Sequence, residues 1–269
     1  MSLKTSALAV VVSLALATPV LSGCESTTSN SQTTNRSQLM LVSSEEIMAE
    51  SAQAYDQVIA QAKAQNALNT NAAQTKRVKN IANKLIAKAP LFRADCANWD
   101  WEVNVINSDE VNAWCMAGGK IAVYSALLTE LNLTDDELAT VLGHEIAHAL
   151  REHVREQQST ETLKQGAFQI ASLFGVDNTT LQLGQVAANL GLTLPFSRSH
   201  ETEADELGLE LMYDAGYDPD AGVSLWTKMM QLGSGNEGLA ALLSTHPADS
   251  SRIENLKALA QKLKEQPRR

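Results

Sequence analysis

The pattern of apolar and polar positions along the chain predicts a mainly helical protein. Apolar residues recur at intervals of three and four over most of its length, which is typical of helices with one buried face. Charged and amide side chains fill the positions between them. This spacing predicts helices over residues 44–68, 71–88, 134–157, 160–192, 197–215 and 248–265.

Three short stretches predict a small β-sheet between the second and third helices. Residues 101–107 alternate as a strand does, 111–116 are expected to pair with them as a hairpin, and 120–125 follow after two glycines. Pairing 107 with 111 would place Cys115 opposite residue 103. Cys96 would then lie roughly 23 Å away at 3.3 Å per residue, which argues against a disulfide but leaves it open.

Composition narrows the possible functions. The 269 residues carry 21 basic and 31 acidic side chains, a net charge of −10, and no basic stripe is visible. This balance argues against a nucleic-acid surface. An apolar content of 44% with few aromatics suits one compact, mainly helical α+β domain with a three-stranded sheet.

The N-terminus has the features of a targeting segment. Residues 1–23 combine an early lysine with an apolar run and end in Leu-Ser-Gly before Cys24, which resembles a bacterial lipobox. A transmembrane anchor is the alternative. The lipobox predicts a lipidated Cys24, and Glu25 in place of aspartate favours the outer membrane, with the protein facing the periplasm. Residues 24–43 are expected to be the lipidated cysteine and a flexible tether, since 25–38 are rich in Ser, Thr, Asn and Gln and contain no apolar residue, which leaves 44–269 as the folded domain.

The sequence HEIAH, residues 144–148, carries the clearest candidate chemistry. His144 and His148 are four residues apart and so share one face of a helix, where two imidazoles can bind one zinc ion. Glu145 lies beside that face, within reach of a water molecule. An ordinary amphipathic helix is the alternative, but the motif arises by chance in only roughly 1% of such chains.

Catalytic zinc takes a third protein ligand, and the sequence supplies two candidate acids downstream. A further histidine at position 154 of the same helix is excluded, since Val154 stands there. Glu201 and Asp205 share one face of the helix over 197–215, so that one can bind zinc and the other can orient a histidine. A solvated acidic face is the alternative. His153 is expected to be a surface histidine or a support for a ligand.

Four blocks of the sequence resemble one known family of enzymes. HEIAH and SRSHETEAD, with VNAWCMAGGKIAVYSALL and STHPADSSR, look like the HtpX and CAAX-prenyl-protease type of zinc metallopeptidase, family M48. The lipobox makes the chain similar to the periplasmic lipoprotein branch of LoiP and BepA. The resemblance implies a gluzincin-type domain that binds one zinc ion through His144, His148 and Glu201. It also implies that Glu145 is the general base and that Asp205 supports a ligating histidine.

The resemblance and the motif together predict a zinc endopeptidase. Its expected substrates are misfolded or unassembled envelope proteins, held as an added β-strand along the following residues: Asn112, Ala113, Trp114, Cys115 and Met116. His246 is expected to donate to the oxyanion or to bind zinc at rest, with helix capping as the alternative. A different class of function, a chaperone-like assembly factor for outer-membrane proteins, remains the competing hypothesis.

Overall fold

The structure is a computed structural model that describes residues 23–34, 36–173, 196–233, 237–247 and 250–269. The predicted signal peptide lies outside the described residues apart from Gly23, as does the end of the predicted helical pair over 160–192. The described part confirms an α+β fold, mainly helical, with a three-stranded sheet beside the helix that carries HEIAH. No helix among these residues is long and apolar enough to cross a bilayer.

The described elements include the three predicted strands of the sheet and add four elements that the hydrophobic pattern did not predict. The strands are β1 (Cys24–Glu25), β2 (Gln38–Leu39), β3 (Glu102–Ile106), β4 (Ala113–Met116) and β5 (Lys120–Tyr124). The α-helices are α1 (Ser44–Ala64), α2 (Ala72–Ile86), α3 (Ser125–Glu130), α4 (Asp135–Leu150), α5 (His153–Leu173), α6 (Arg198–Asp214), α7 (Ala221–Gly233), α8 (Glu237–Thr245) and α9 (Ser250–Lys264). The four additions to the prediction are β1, β2, α3 and α8.

The three-stranded sheet has the predicted strands but a different order. Strand β5 lies in the middle, parallel to β3 and antiparallel to β4, so the predicted hairpin of β3 with β4 is wrong. The hairpin forms instead between β4 and β5, across Gly118 and Gly119, whose φ angles of +79° and +84° suit glycine. Strand β4 is left at the edge of the sheet. All three cysteines, each within the described residues, are free.

Helix α4 begins as predicted and ends earlier than predicted. Thr134 and Glu137 form the expected capping box at its first turn. The prediction of one helix over 134–157 is wrong, because Glu152 adopts a φ of 50° and the chain turns before α5 begins. One tertiary contact stabilises that turn, since the Glu152 carboxylate pairs with Arg93 as well as with the nearby Arg155.

Helices α4 and α6 touch at their backbones through a pair of glycines. A Cβ added to Gly143 would lie 2.7 Å from the carbonyl oxygen of Gly208, and a Cβ on Gly208 would lie 2.7 Å from the amide nitrogen of His144. Only glycine fits at either position without a shift of the backbone. This close approach brings the residues that follow Gly143 against the first turns of α6.

Residues 23–34 and 36–43 form an ordered segment, the N-terminal strap, that packs on the domain. Strands β1 and β2 pair with each other, and the Ser29 amide donates to the Phe92 carbonyl at 2.7 Å. Gln38 is buried and donates to the Arg151 carbonyl at 2.6 Å. The prediction of a flexible tether over 24–43 is wrong, because the polar side chains that suggested it satisfy buried partners on the domain.

Candidate metal centre

Four side chains bring one potential ligand atom each to a single point between α4, α6 and the loop after α8. These atoms all lie within 4.8 Å of one another, and all four residues are buried. His144 Nε2 is 3.0 Å from His148 Nε2 and 3.1 Å from His246 Nδ1. Glu201 Oε1 is 3.3 Å from His148 Nε2 and 3.0 Å from His246 Nδ1.

The donor atoms of this cluster fit zinc. Three imidazole nitrogens and one carboxylate oxygen are ligands that zinc prefers, and ligands at about 2.0–2.1 Å in a tetrahedron are about 3.3 Å apart. Four of the six separations, at 3.0–3.3 Å, match that spacing. Both histidines of HEIAH engage other partners through Nδ1. Their Nε2 lone pairs are therefore free to face a cation.

Asp205 lies behind the first of these histidines, where the sequence places it. Its Oδ1 is 3.0 Å from His144 Nδ1 and accepts that proton, which fixes Nε2 as the metal-facing atom. Arg252, from α9, donates to both oxygens of Asp205 at 2.7 Å. Burial opposes ionisation of Asp205, but the Arg252 and His144 contacts lower its pKa.

Arg252 also reaches the carboxylate among the ligands. Its Nη1 lies 2.8 Å from Glu201 Oε2, while Glu201 Oε1 faces the histidines. Burial opposes ionisation here too, yet the hydrogen bonds with His148 and His246 lower the pKa of Glu201. Glu201 is therefore an anion at neutral pH, which is the state that binds a metal. Arg252 lies within the block STHPADSSR, but nothing in the residue pattern of that block indicates this role.

Glu145 points into the adjoining cleft from the flank of the ligand face. Its Oε1 lies 3.5 Å from His246 Nε2. Burial raises the pKa of Glu145, and the nearby histidines only partly oppose this effect. A carboxylate with a raised pKa beside a metal centre suits a general base.

The second histidine of HEIAH has a different environment from the first. His148 Nδ1 lies 2.8 Å from Nδ1 of His153, which is fully buried. Of the two alternatives for His153, support of a ligand therefore agrees with its position and surface exposure does not. The Phe196 ring stacks on the His148 ring, with centroids 4.1 Å apart. Only the sharp turn at Glu152 brings His153 back to His148, and helical periodicity gives no sign of that turn.

An apolar cleft of about 230 Å³ opens beside the ligand cluster. Its lining includes Glu145, His148 and His246 together with residues of the edge strand β4. Five residues of the lining are those predicted to hold an extended substrate: Asn112, Ala113, Trp114, Cys115 and Met116. Burial raises the pKa of Cys115 well above its ordinary value, so its thiol stays protonated.

Comparison with known proteins places these residues in a family context. Residues 72–260 match Peptidase family M48. Mitochondrial metalloendopeptidase OMA1 of Arabidopsis thaliana is 38% identical over 175 residues, 65% of this chain and 35% of the relative. OMA1 of Schizosaccharomyces pombe is 35% identical over 181 residues, 66% of this chain and 51% of the relative. The beta-barrel assembly-enhancing protease of Escherichia coli K12 is 26% identical over 168 residues, which cover 60% of this chain and 34% of the relative.

These relatives correct two expectations drawn from the N-terminal sequence. The predicted location, lipid-anchored in the outer membrane and facing the periplasm, is wrong, since the relatives at 35–38% identity are named as mitochondrial proteins. The LoiP and BepA branch is not confirmed for the same reason. Lipidation of Cys24, which is exposed at the start of β1, stays a prediction. The chain spans about a third to a half of the length of the curated relatives it matches.

Proposed function

The chain belongs to peptidase family M48 and is therefore a zinc metallopeptidase; for this enzyme we propose the following substrate class and mechanism. The proposed function is internal cleavage of misfolded or unassembled polypeptides, which expose extended segments. One observation carries this proposal: His148 and His246, two of the four converging ligand residues, line an apolar cleft together with Glu145 and the edge strand β4. Catalytic and binding elements thus meet on one surface.

The proposed roles follow from the geometry of the cluster. His144, His148 and Glu201 hold the zinc ion, and Asp205 orients His144. When bound, zinc supplies Lewis-acid activation of water and of the peptide carbonyl. Glu145 removes the proton from the attacking water and delivers it to the leaving amine, a task for which its raised pKa suits it.

The cleft supports the proposed substrate class. Strand β4 is at the edge of its sheet, so its outer backbone groups can pair with an added strand of substrate. Such pairing is tolerant of sequence, because backbone groups supply the hydrogen bonds. Residues 112–116 are the proposed docking strand, and the apolar lining favours substrates with a bulky apolar side chain near the cleaved bond.

His246 is proposed to be a fourth ligand that closes the site at rest. Its Nδ1 stands among the ligand atoms, in the place that water takes in a three-ligand catalytic site. The loop that carries it must move before substrate and water can enter. This arrangement provides a restraint on a peptidase with tolerant substrate recognition.

A second candidate is an assembly factor that binds unfolded partners and cleaves little. The name of the beta-barrel assembly-enhancing proteases favours it, since that name refers to assembly. The two functions separate in a Glu145→Gln variant. The variant should still bind an unfolded polypeptide whether the protein is a peptidase or an assembly factor. Loss of biological function in the variant would support the peptidase, and retained function would support the assembly factor.

Metal analysis of the purified full chain tests the proposed ligands. We expect about one zinc per wild-type chain, and below roughly a tenth of that in His144→Ala, His148→Ala and Glu201→Ala. Glu206→Ala is the matched control, because it removes another carboxylate from the same helix and should keep full zinc. Full zinc in Glu201→Ala would overturn the proposed third ligand.

A further inference from the structure

The two histidines of HEIAH are supported in different ways. His144 Nδ1 faces a carboxylate directly, at 3.0 Å from Asp205. His148 Nδ1 instead faces another imidazole, at 2.8 Å from His153 Nδ1. A ligating histidine keeps its orientation through the partner of its second nitrogen. The orientation of His148 therefore depends on what holds His153.

The protons along this path can be placed from the partners. Since His148 Nε2 stands among the ligand atoms, its proton is on Nδ1, and His153 Nδ1 must accept it. The proton of His153 is then on Nε2, which lies 3.0 Å from Glu203 Oε2. The His153 ring is fully buried and stacks on His200 with centroids 4.4 Å apart, so packing also holds its plane.

Two arginines hold Glu203 in turn. Arg151 donates to Oε2 at 3.0 and 3.1 Å from within the domain. Arg36 donates to Oε1 at 2.6 Å from the N-terminal strap, and its other nitrogens reach Glu156 at 2.5 and 2.8 Å. The strap thus contributes a charged partner to a buried path that ends at a metal ligand.

We infer that His153 is the positioning residue of His148, and that Arg36 of the N-terminal strap sustains it through Glu203. This inference rests on the proposed zinc site. The N-terminal strap then contributes to zinc affinity as well as to the stability of the fold. The path runs from Arg36 to Glu203, then to His153 and His148. Of these four residues, only His148 lines the substrate cleft.

Zinc affinity of the full chain, measured by competition with a coloured chelator, tests the inference. We expect His153→Ala to weaken zinc binding by about 10–100-fold, as Asp205→Asn should for the other histidine. Arg36→Met should weaken it by about 3–10-fold, since Glu203 keeps Arg151. Arg77→Met is the matched control, because Arg77 pairs with the exposed Asp135 elsewhere on the domain, and its affinity should equal wild type.

The double variant separates a shared path from general loosening. If Arg36 acts through His153, adding Arg36→Met to His153→Ala should change zinc affinity by less than about threefold. If the losses of zinc affinity in the two single variants multiply in the double variant, the role of Arg36 is overturned. An equal loss of zinc affinity in Arg77→Met would overturn it too. Wild-type affinity in His153→Ala would overturn the role of His153. A wild-type chain that binds no zinc tightly would overturn the proposed function as well, and thermal unfolding of each metal-free variant shows whether it is folded.

Discussion

Nδ1 of His246 lies 3.1 Å from Nε2 of His144, although 102 residues separate them in the chain. The same nitrogen is 3.0 Å from Glu201 Oε1, while the other nitrogen of the ring is 3.5 Å from Glu145. His246 therefore contacts both the ligand set and the proposed base. This position favours a resting-state ligand over a helix cap, which would leave the ring away from the metal cluster.

The change His246→Ala should raise casein cleavage by about 3–10-fold at equal zinc loading, because it removes a competitor of water and substrate. Zinc affinity should fall slightly at the same time. A hundredfold fall in cleavage would identify His246 as an oxyanion donor instead, since loss of such a donor costs about 10²–10³ in rate. A change within twofold would contradict both roles.

The contact between Gly143 and Gly208 predicts an unusual response to alanine. In an exposed helix, Gly208→Ala would stabilise the protein by up to about 1 kcal/mol. Here the new Cβ would lie 2.7 Å from the backbone of His144, so we expect a loss of about 1–3 kcal/mol in the free energy of unfolding. Urea denaturation measures it. Gly222→Ala is the control, because the atoms nearest its Cβ would be side-chain methyl groups rather than backbone atoms, the closest being Leu209 Cδ1 at 2.9 Å.

Glu137 should stabilise the start of helix α4 by its charge. It accepts from Thr134 N at 2.9 Å and pairs with Lys228 at 2.8 Å. Burial opposes its ionisation, but Lys228, the Thr134 amide and the Ser224 hydroxyl lower its pKa below the ordinary 4.5. Glu137→Gln keeps an oxygen acceptor and should cost about 1–2 kcal/mol of unfolding free energy at pH 7.

The pH dependence of this effect has a definite sign. Because the folded state lowers the pKa of Glu137, its charge stabilises the protein above about pH 4.5 and this contribution is lost as the pH falls. The difference between wild type and Glu137→Gln should therefore shrink below pH 4.5. Denaturant unfolding at pH 7 and at pH 3.5 measures it. A difference that does not change with pH would mean that the charge has no part in it.

The ligand cluster was predictable because each half of it is local in sequence. Helical spacing alone places His144 with His148, two expected ligands, and Glu201 with Asp205, an expected ligand beside an expected support for a histidine. Their partners were harder to predict. Arg252 lies 47 residues from Asp205, and only the packing of α9 against α6 joins them.

The parts that sequence reasoning misplaced depend on long-range contacts. Glu152 interrupts a pattern that predicts one helix. Its carboxylate pairs with the distant Arg93, which precedes it in the chain, and with the nearby Arg155, which follows it. The N-terminal strap has the composition of a disordered linker, yet its polar groups meet buried partners more than a hundred residues away. Local periodicity contains no information about such partners.

Casein cleavage by Glu145→Gln tests whether this site carries the peptidase activity, because the change removes the proposed base and leaves all proposed ligands in place. Wild type and variant are compared at equal, measured zinc content. We expect the cleavage rate to fall by about 10²–10⁴ with one zinc still bound per chain. A variant that retains zinc and at least half of the wild-type rate would show that this site does not carry the activity.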